Sequence, residues 1–307
     1  MSRPPFVDAH VHFHDLEHPR LRYEWLEPGG PPDPVLGDDR PLRSQRYWAD
    51  DFLAETRFQR VAKAVHVQAA IGSEDPVEET RWLQAFADRL GVPQGIVSYA
   101  DLADPGVGGV LERHAEFPNL RGIRDLRYDD YLTNPAWRRG YAQLEEHGLV
   151  CCDDPDVAQM PAALDLARRF PGITFCVDHC GFPKGRDPEY FARWRAAIGR
   201  LAAAENVVVK ISGLGQADHR WTVASIRPWV LACIEAFGVE RSFLASNWPV
   251  DRLYSSYGDV LEAYDTITAG FSSAEREALF ATNAERVFQL GSDSSPGSGA
   301  TASELSV

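Results

Sequence analysis

Short, apolar, β-branched runs recur along this chain, and most are followed by a longer stretch of helical periodicity. The runs fall at residues 6–11, 61–70, 93–102, 120–126, 148–152, 173–179, 207–214 and 243–248. Helical patterns cover 77–90, 106–117, 135–146, 157–170, 188–204, 223–237 and 258–269. Near-continuous apolar strands alternating with helices of roughly 10–15 residues mean βαβ units and a parallel sheet. The run count predicts an α/β fold, a (β/α)8 TIM barrel. The rival, a doubly wound open sheet, usually wants a Gly-rich first β–α turn. Here the first strand runs instead into His10-Val11-His12.

Two stretches break the alternation. Residues 13 to about 50 are rich in Pro, Gly, Arg and aromatics, and are too long for a simple β–α loop. They read as an insertion after strand 1 that covers one mouth of the barrel. Residues 291–307 are small and polar and read as a disordered tail. The domain expectation is therefore one barrel over 1–290 followed by that tail.

Charge narrows the partners. With 31 Lys and Arg against 45 Asp and Glu, the net charge is −14. Such a chain is a poor match for nucleic acid or an anionic membrane. A small-molecule substrate remains, and a local basic pocket for it is compatible with the overall charge. The cysteines Cys151, Cys152, Cys176, Cys180 and Cys233 form no C-x-x-C pair, and they read as reduced, buried thiols of a cytoplasmic protein. The first residues, MSRPPFVDAH, hold no apolar signal-peptide core. No apolar stretch reaches the roughly 18 residues of a membrane span. The oligomeric state stays open, a homo-oligomer included.

With a period of two, Asp8, His10 and His12 share a face of strand one, and Phe175, Val177 and His179 share a face of strand six. Val208, Lys210 and Ser212 do so on strand seven, and Phe243, Ala245 and Asn247 on strand eight. The polar members lie mostly at the C-terminal ends, where a barrel carries its active site. Two histidines two apart can place both imidazoles on one ion. His179, from across the barrel, would complete a three-imidazole set of the kind that holds catalytic zinc with a position open to water. Lys210 is one of three lysines in the chain, and inside a strand it needs a carboxylate or a substrate anion.

At this point the residues show a resemblance. DAHVHF on the first strand, VQAA on the second, GIRDLR on the fourth, DHCGFPK on the sixth, KISGL on the seventh and SNWPVD on the eighth resemble the amidohydrolase superfamily, as does the ending TNAERVFQL. The similarity is greatest to its TIM-barrel lactonase group, which includes L-fuconolactonase, L-rhamnonolactonase and 2-pyrone-4,6-dicarboxylate lactonase. The resemblance implies a hydrolase whose site is marked by His10, His12 and His179. It places Arg124 where the family holds substrate oxygens, and Gln68 and Tyr47 at positions that line the pocket. Tyr47 and Trp48 read equally as packing of the covering segment. Arg127, on the opposite strand face or in the loop, is a further substrate-binding candidate, and with Arg124 and Lys210 it points to a carboxylate-bearing or oxygen-rich substrate.

One position departs from the family. Its eighth strand usually ends in an aspartate, and this chain has Asn247. Asparagine cannot act as a general base near neutral pH, although it can offer its carbonyl oxygen to an ion or orient water. The expected function is therefore metal-assisted opening of a lactone or related cyclic ester of a small oxygen-rich or carboxylate-bearing substrate. One divalent ion, zinc by preference, would generate the nucleophile. Asp251, Asp178 and His66 stand as fallback bases. The alternatives are a decarboxylating lyase on the same barrel, or a barrel that has lost catalysis and only binds a ligand. His14 extends the histidine alternation towards the entrance. His18, His114, His147 and His219 read as surface residues.

Overall fold

The computed structural model describes residues 3–43, 46–126 and 130–291. Strands β1 (Phe6–Val11), β2 (Val61–Val67), β3 (Gly95–Ser98), β4 (Leu120–Ile123), β5 (Val150–Asp153), β6 (Phe175–Val177), β7 (Val207–Ile211) and β8 (Ser242–Leu244) pair in sequence order. Every pairing is parallel. The first and last strands meet where Val11 pairs with Trp248, and His12 N donates to Trp248 O at 2.7 Å. This is a (β/α)8 barrel. The observed strands are shorter than the apolar runs because several runs continue past the last ladder bond into the loops of the C-terminal mouth.

The helices are α1 (Ala49–Thr56), α2 (Val77–Leu90), α3 (Val107–Ala115), α4 (Pro135–Gln143), α5 (Met160–Arg169), α6 (Pro188–Leu201), α7 (Val223–Phe237) and α8 (Tyr257–Ile267), followed by a C-terminal helical segment of α9 (Ser273–Glu277) and α10 (Asn283–Val287). Their starts follow local chemistry. Asn134, Asp187, Thr222 and Ser256 accept backbone N–H bonds as N-caps, and Pro135 and Pro188 occupy first-turn positions where no N–H is needed. α1 starts where the span read as insertion ends and fills a stretch to which the sequence analysis gave no element; its helical pattern is only two turns long. No helix among the described residues is long and apolar enough to cross a membrane.

Two apolar layers hold the barrel. Phe175, Val177, Trp194 and Trp229 belong to the layer between strands and helices. Val65, Val97, Val150, Cys152, Cys176 and Phe243 fill the interior, and Phe288 from the C-terminal helical segment joins them. The polar mouth therefore has an apolar floor. The cysteines are all free and buried. The segment between β1 and α1 packs Leu21, Tyr23, Leu26, Leu36 and Leu42 into a third cluster with Ala69, Ala70 and Val250.

Candidate functional site

Two irregularities set the mouth. The β1–β2 register slips between Asp8 and Val11, so a bulge breaks the period of two. Asp8 therefore does not share the face of His10. It is buried against the β8 side, accepting from Ser246 N (2.9 Å), Ser246 Oγ (2.5 Å) and Tyr257 Oη (2.8 Å), and so joins the ends of the barrel. At β6 the strand stops at Val177, and His179 takes φ +51°, a left-handed conformation unusual for a side-chain-bearing residue. Phe175 and Val177 pack outward, while the consecutive Asp178 and His179 both turn inward. The shared face expected for Phe175, Val177 and His179 is corrected by that turn. Asn247 is also left-handed, at φ +61°.

A cavity of about 280 Å³ opens at this end. His12, Gln68, Arg124, His179 and Asn247 line it. His10 Nε2 and His12 Nε2 lie 3.1 Å apart. His12 Nδ1 is 2.8 Å from Val67 O; a carbonyl only accepts, so the His12 proton sits on Nδ1 and its Nε2 keeps a lone pair. Burial holds His10, His12 and His179 well below the usual imidazole range, and neighbouring cationic and imidazole groups push the same way. All three are neutral, as metal ligands must be. The His10–His12 separation suits two donors on one ion, for which zinc–nitrogen bonds of about 2.0–2.1 Å give about 3.3 Å. His179 departs from the expected set. Its Nδ1 faces Ser212 Oγ at 2.9 Å, and its nitrogens do not converge with those of His10 and His12 within 4.8 Å. His10 and His12 are spaced for one ion, and the His179 ring lies beside His10 with centroids 4.3 Å apart.

Beneath the histidines lies a buried ionic cluster. Asp178 meets Lys210 Nζ at 2.8 Å, Arg124 Nε at 3.4 Å and His10 Nδ1 at 3.6 Å. Arg124 also reaches Asp154 at 3.1 Å. Burial works against the Lys210 charge, but Asp178 with the nearby cysteines outweighs it and raises the pKa. Burial pushes Asp154 up to about 6, and Arg124 pulls it part of the way back. Asp154 lines the cavity.

Several expected site residues lie elsewhere. Lys210 is fully buried behind His10 and does not line the cavity; its partner is a carboxylate of the protein. Tyr47 is buried with its hydroxyl 3.0 Å from Glu55 and the Arg252 guanidinium over its ring, so it packs under the mouth. His66 faces Glu79 at 3.3 Å and accepts from Phe13 N. Asp251 is buried outside the cavity wall, and burial drives it up to about 8, with Asn247 and Gly213 N–H opposing. It keeps its proton at neutral pH. Arg127 lies outside the described residues. Sequence reasoning missed Asp154, Asp156, Lys184, Gln216 and Trp25, all on the cavity wall. Of these, Lys184 alone lay in one of the motifs that carry the resemblance, at the end of DHCGFPK.

A parallel barrel with polar strand ends over an apolar floor is the architecture of a barrel enzyme. An amidohydrolase family model matches residues 7–290. A Sinorhizobium fredii protein, y4mH, is 40% identical over 302 residues, covering 94% of this chain and 100% of that protein. An L-fucono-1,5-lactonase of Burkholderia ambifaria is 32% identical over 261 residues, covering 82% of this chain and 83% of its own. A crystal structure of an amidohydrolase from Burkholderia multivorans, with bound zinc, superposes with a TM-score of 0.80 at 28% identity, covering 93% of this chain and 99% of that one. The chain belongs to the amidohydrolase family and is a hydrolase.

Proposed function

We propose that this chain opens a neutral, hydroxyl-rich lactone. The observation that carries the reading is the pairing of the cavity's cations. Arg124 is held by Asp154 and Asp178, and Lys184 lies 3.9 Å from Asp156. Each positive charge is thus balanced by protein carboxylates, which disfavours a substrate carboxylate, while a guanidinium with five N–H groups can still donate to a neutral oxygen. The wall also carries Gln68, Gln159, Gln216 and Asn247, amides that bond hydroxyls through both donors and acceptors, and Asp33, which accepts from them. The 32% identical relative named L-fucono-1,5-lactonase supports the same substrate class over a carboxylate-bearing one.

In this reading Arg124 and Asn247 Nδ2 donate to the lactone carbonyl oxygen. Asn247 Nδ2 is buried and makes no close hydrogen bond in the protein, with the protonated Asp251 carboxyl as its polar neighbour, so the amide can turn its donor to a substrate oxygen. Asp154, mostly ionised at neutral pH, takes the proton of the attacking water. It then returns a proton to the ring oxygen as the acyl–oxygen bond breaks, leaving the hydroxy acid. Asp154 thereby replaces Asp251 as the base. His10 and His12 would hold a divalent ion, with His179 the nearest further imidazole. Such an ion would polarise the carbonyl and acidify water. The zinc-bound Burkholderia multivorans structure supports that assignment.

The test is a panel of five- and six-membered sugar lactones, read by acid release, with metal content measured on the same preparation. Hydrolysis is expected, and Asp154→Asn should slow it by about 10²-fold or more. Full activity in Asp154→Asn would remove the base; inactivity of the wild type across the panel would remove the function.

A further inference from the structure

Below the cavity, Cys152 on β5 and Cys176 on β6 stand at the same register on neighbouring strands and point into the barrel. With Asp178 they form a group whose ligand atoms lie within 4.8 Å of one another, the one such metal-competent set among the described residues. Two thiols and a carboxylate make a donor set for a soft or borderline divalent ion. A cation is already there. Lys210 Nζ lies 2.8 Å from Asp178 Oδ1, 3.9 Å from Cys152 Sγ and 3.4 Å from His10 Nδ1, and the Phe288 ring centroid is 5.2 Å away. The Lys210 side chain is fully buried.

We propose that Lys210 is a tethered cation filling a site that the Cys152, Cys176 and Asp178 donors would otherwise offer to a thiophilic divalent metal. A charge fixed to the backbone of β7 cannot be exchanged or chelated. It gives Asp178 a permanent partner and leaves the His10–His12 pair as the place for an exchangeable ion. Removing the ammonium opens the donors. A divalent ion can then enter, each cysteine giving up its thiol proton to solvent as a sulfur–metal bond forms. The inference does not depend on the lactone reading, because its readout is sulfur ligation and not turnover.

The experiment titrates Co²⁺ and Cd²⁺ into reduced wild type, Lys210→Ala, and Lys210→Ala combined with Cys152→Ser and Cys176→Ser. Lys210→Ala should take one ion per chain more than wild type and show thiolate-to-metal charge-transfer absorption. The wild type and the triple variant should lack that absorption, which separates this site from imidazole ligation at His10 and His12. If Lys210→Ala is too unstable to titrate, Cd²⁺ should raise its Tm more than that of the triple variant. Equal stoichiometry without a thiolate band, or no Cd²⁺-dependent gain in Tm, overturns the proposal. A thiolate band in the wild type also overturns it, because Lys210 would then exclude nothing.

Discussion

Arg124 shows how one residue can serve both fold and site. Its guanidinium is nearly buried between Asp154 and Asp178 and still reaches the cavity. Arg124→Ala should cost on the order of 2–5 kcal/mol in kcat/KM. Lysine should rescue poorly because the planar fork is lost. Lost binding alone would leave the pH profile in place, but the structure expects more. Burial raises Asp154 and Arg124 lowers it, so without Arg124 the Asp154 pKa must climb from about 6. The acid limb of the pH–rate profile should therefore move to higher pH in Arg124→Ala. An unmoved limb would mean that Asp154 is not the titrating base. Arg124, Gln68 and Asn247 were legible because each sits at or near a strand end in a recognisable motif. Asp154 was not, because Asp153 beside it takes the strand position and binds Tyr131 at 2.6 Å, and nothing in the pair Asp153-Asp154 says which carboxyl reaches the mouth.

At the scale of elements, periodicity located strands and helices well wherever the chain was regular. α2 and α7 end where the apolar pattern ends, at glycines. It failed at the β1 bulge and at the left-handed His179, since a period of two has no means of signalling an inserted residue or a reversed φ. Those two defects decide that Asp8 joins strands while Asp178 and His179 reach the site. The segment between β1 and α1 was legible as irregular, but its attachment was not. Asp33 and Leu36 line the cavity, and the strap around them is held from two other loops. His219 Nε2 lies 2.9 Å from Val35 O, Tyr254 Oη donates to Leu36 O, and the two rings stack at 4.0 Å. His219, expected at the surface without a role, is part of that clamp. Removing the Tyr254 hydroxyl costs one hydrogen bond, worth about 1 kcal/mol. Tyr254→Phe should raise KM roughly 5-fold with kcat kept. A fall in kcat at constant KM would show that the strap positions reacting groups and does not merely cover the substrate.

For the molecule as a whole, the buried polar groups write a pH dependence into stability. His114 was expected at the surface, yet it is fully buried. The signal was present, since Val107, Leu111 and His114 recur at helical spacing and form the buried stripe of α3. Its Nδ1 meets Thr80 Oγ1 at 2.9 Å and its Nε2 meets Tyr99 O at 3.0 Å, while Thr80 also bonds Ser98 Oγ at 2.6 Å. The network ties α2, α3 and the end of β3. Burial depresses the His114 pKa to about 4, against a weaker upward pull from the Tyr99 carbonyl. The unfolded chain titrates near 6.5, so between these values it binds the proton that the folded chain refuses. The His114 contribution is complete above about pH 6.5 and is lost as pH falls towards 4. Asp251 acts in the opposite sense. Burial raises it to about 8, so its contribution is present below about pH 4 and fades as pH rises to 8. The total curve is therefore flattened, and only a difference between proteins isolates His114. Urea unfolding of wild type and His114→Gln, at about pH 7.5 and about pH 5, gives that difference. The wild-type advantage should shrink by about 2 kcal/mol across the interval. A constant gap would mean that His114 titrates alike in both states, and that its buried hydrogen bonds hold the protonated ring as well as the neutral one.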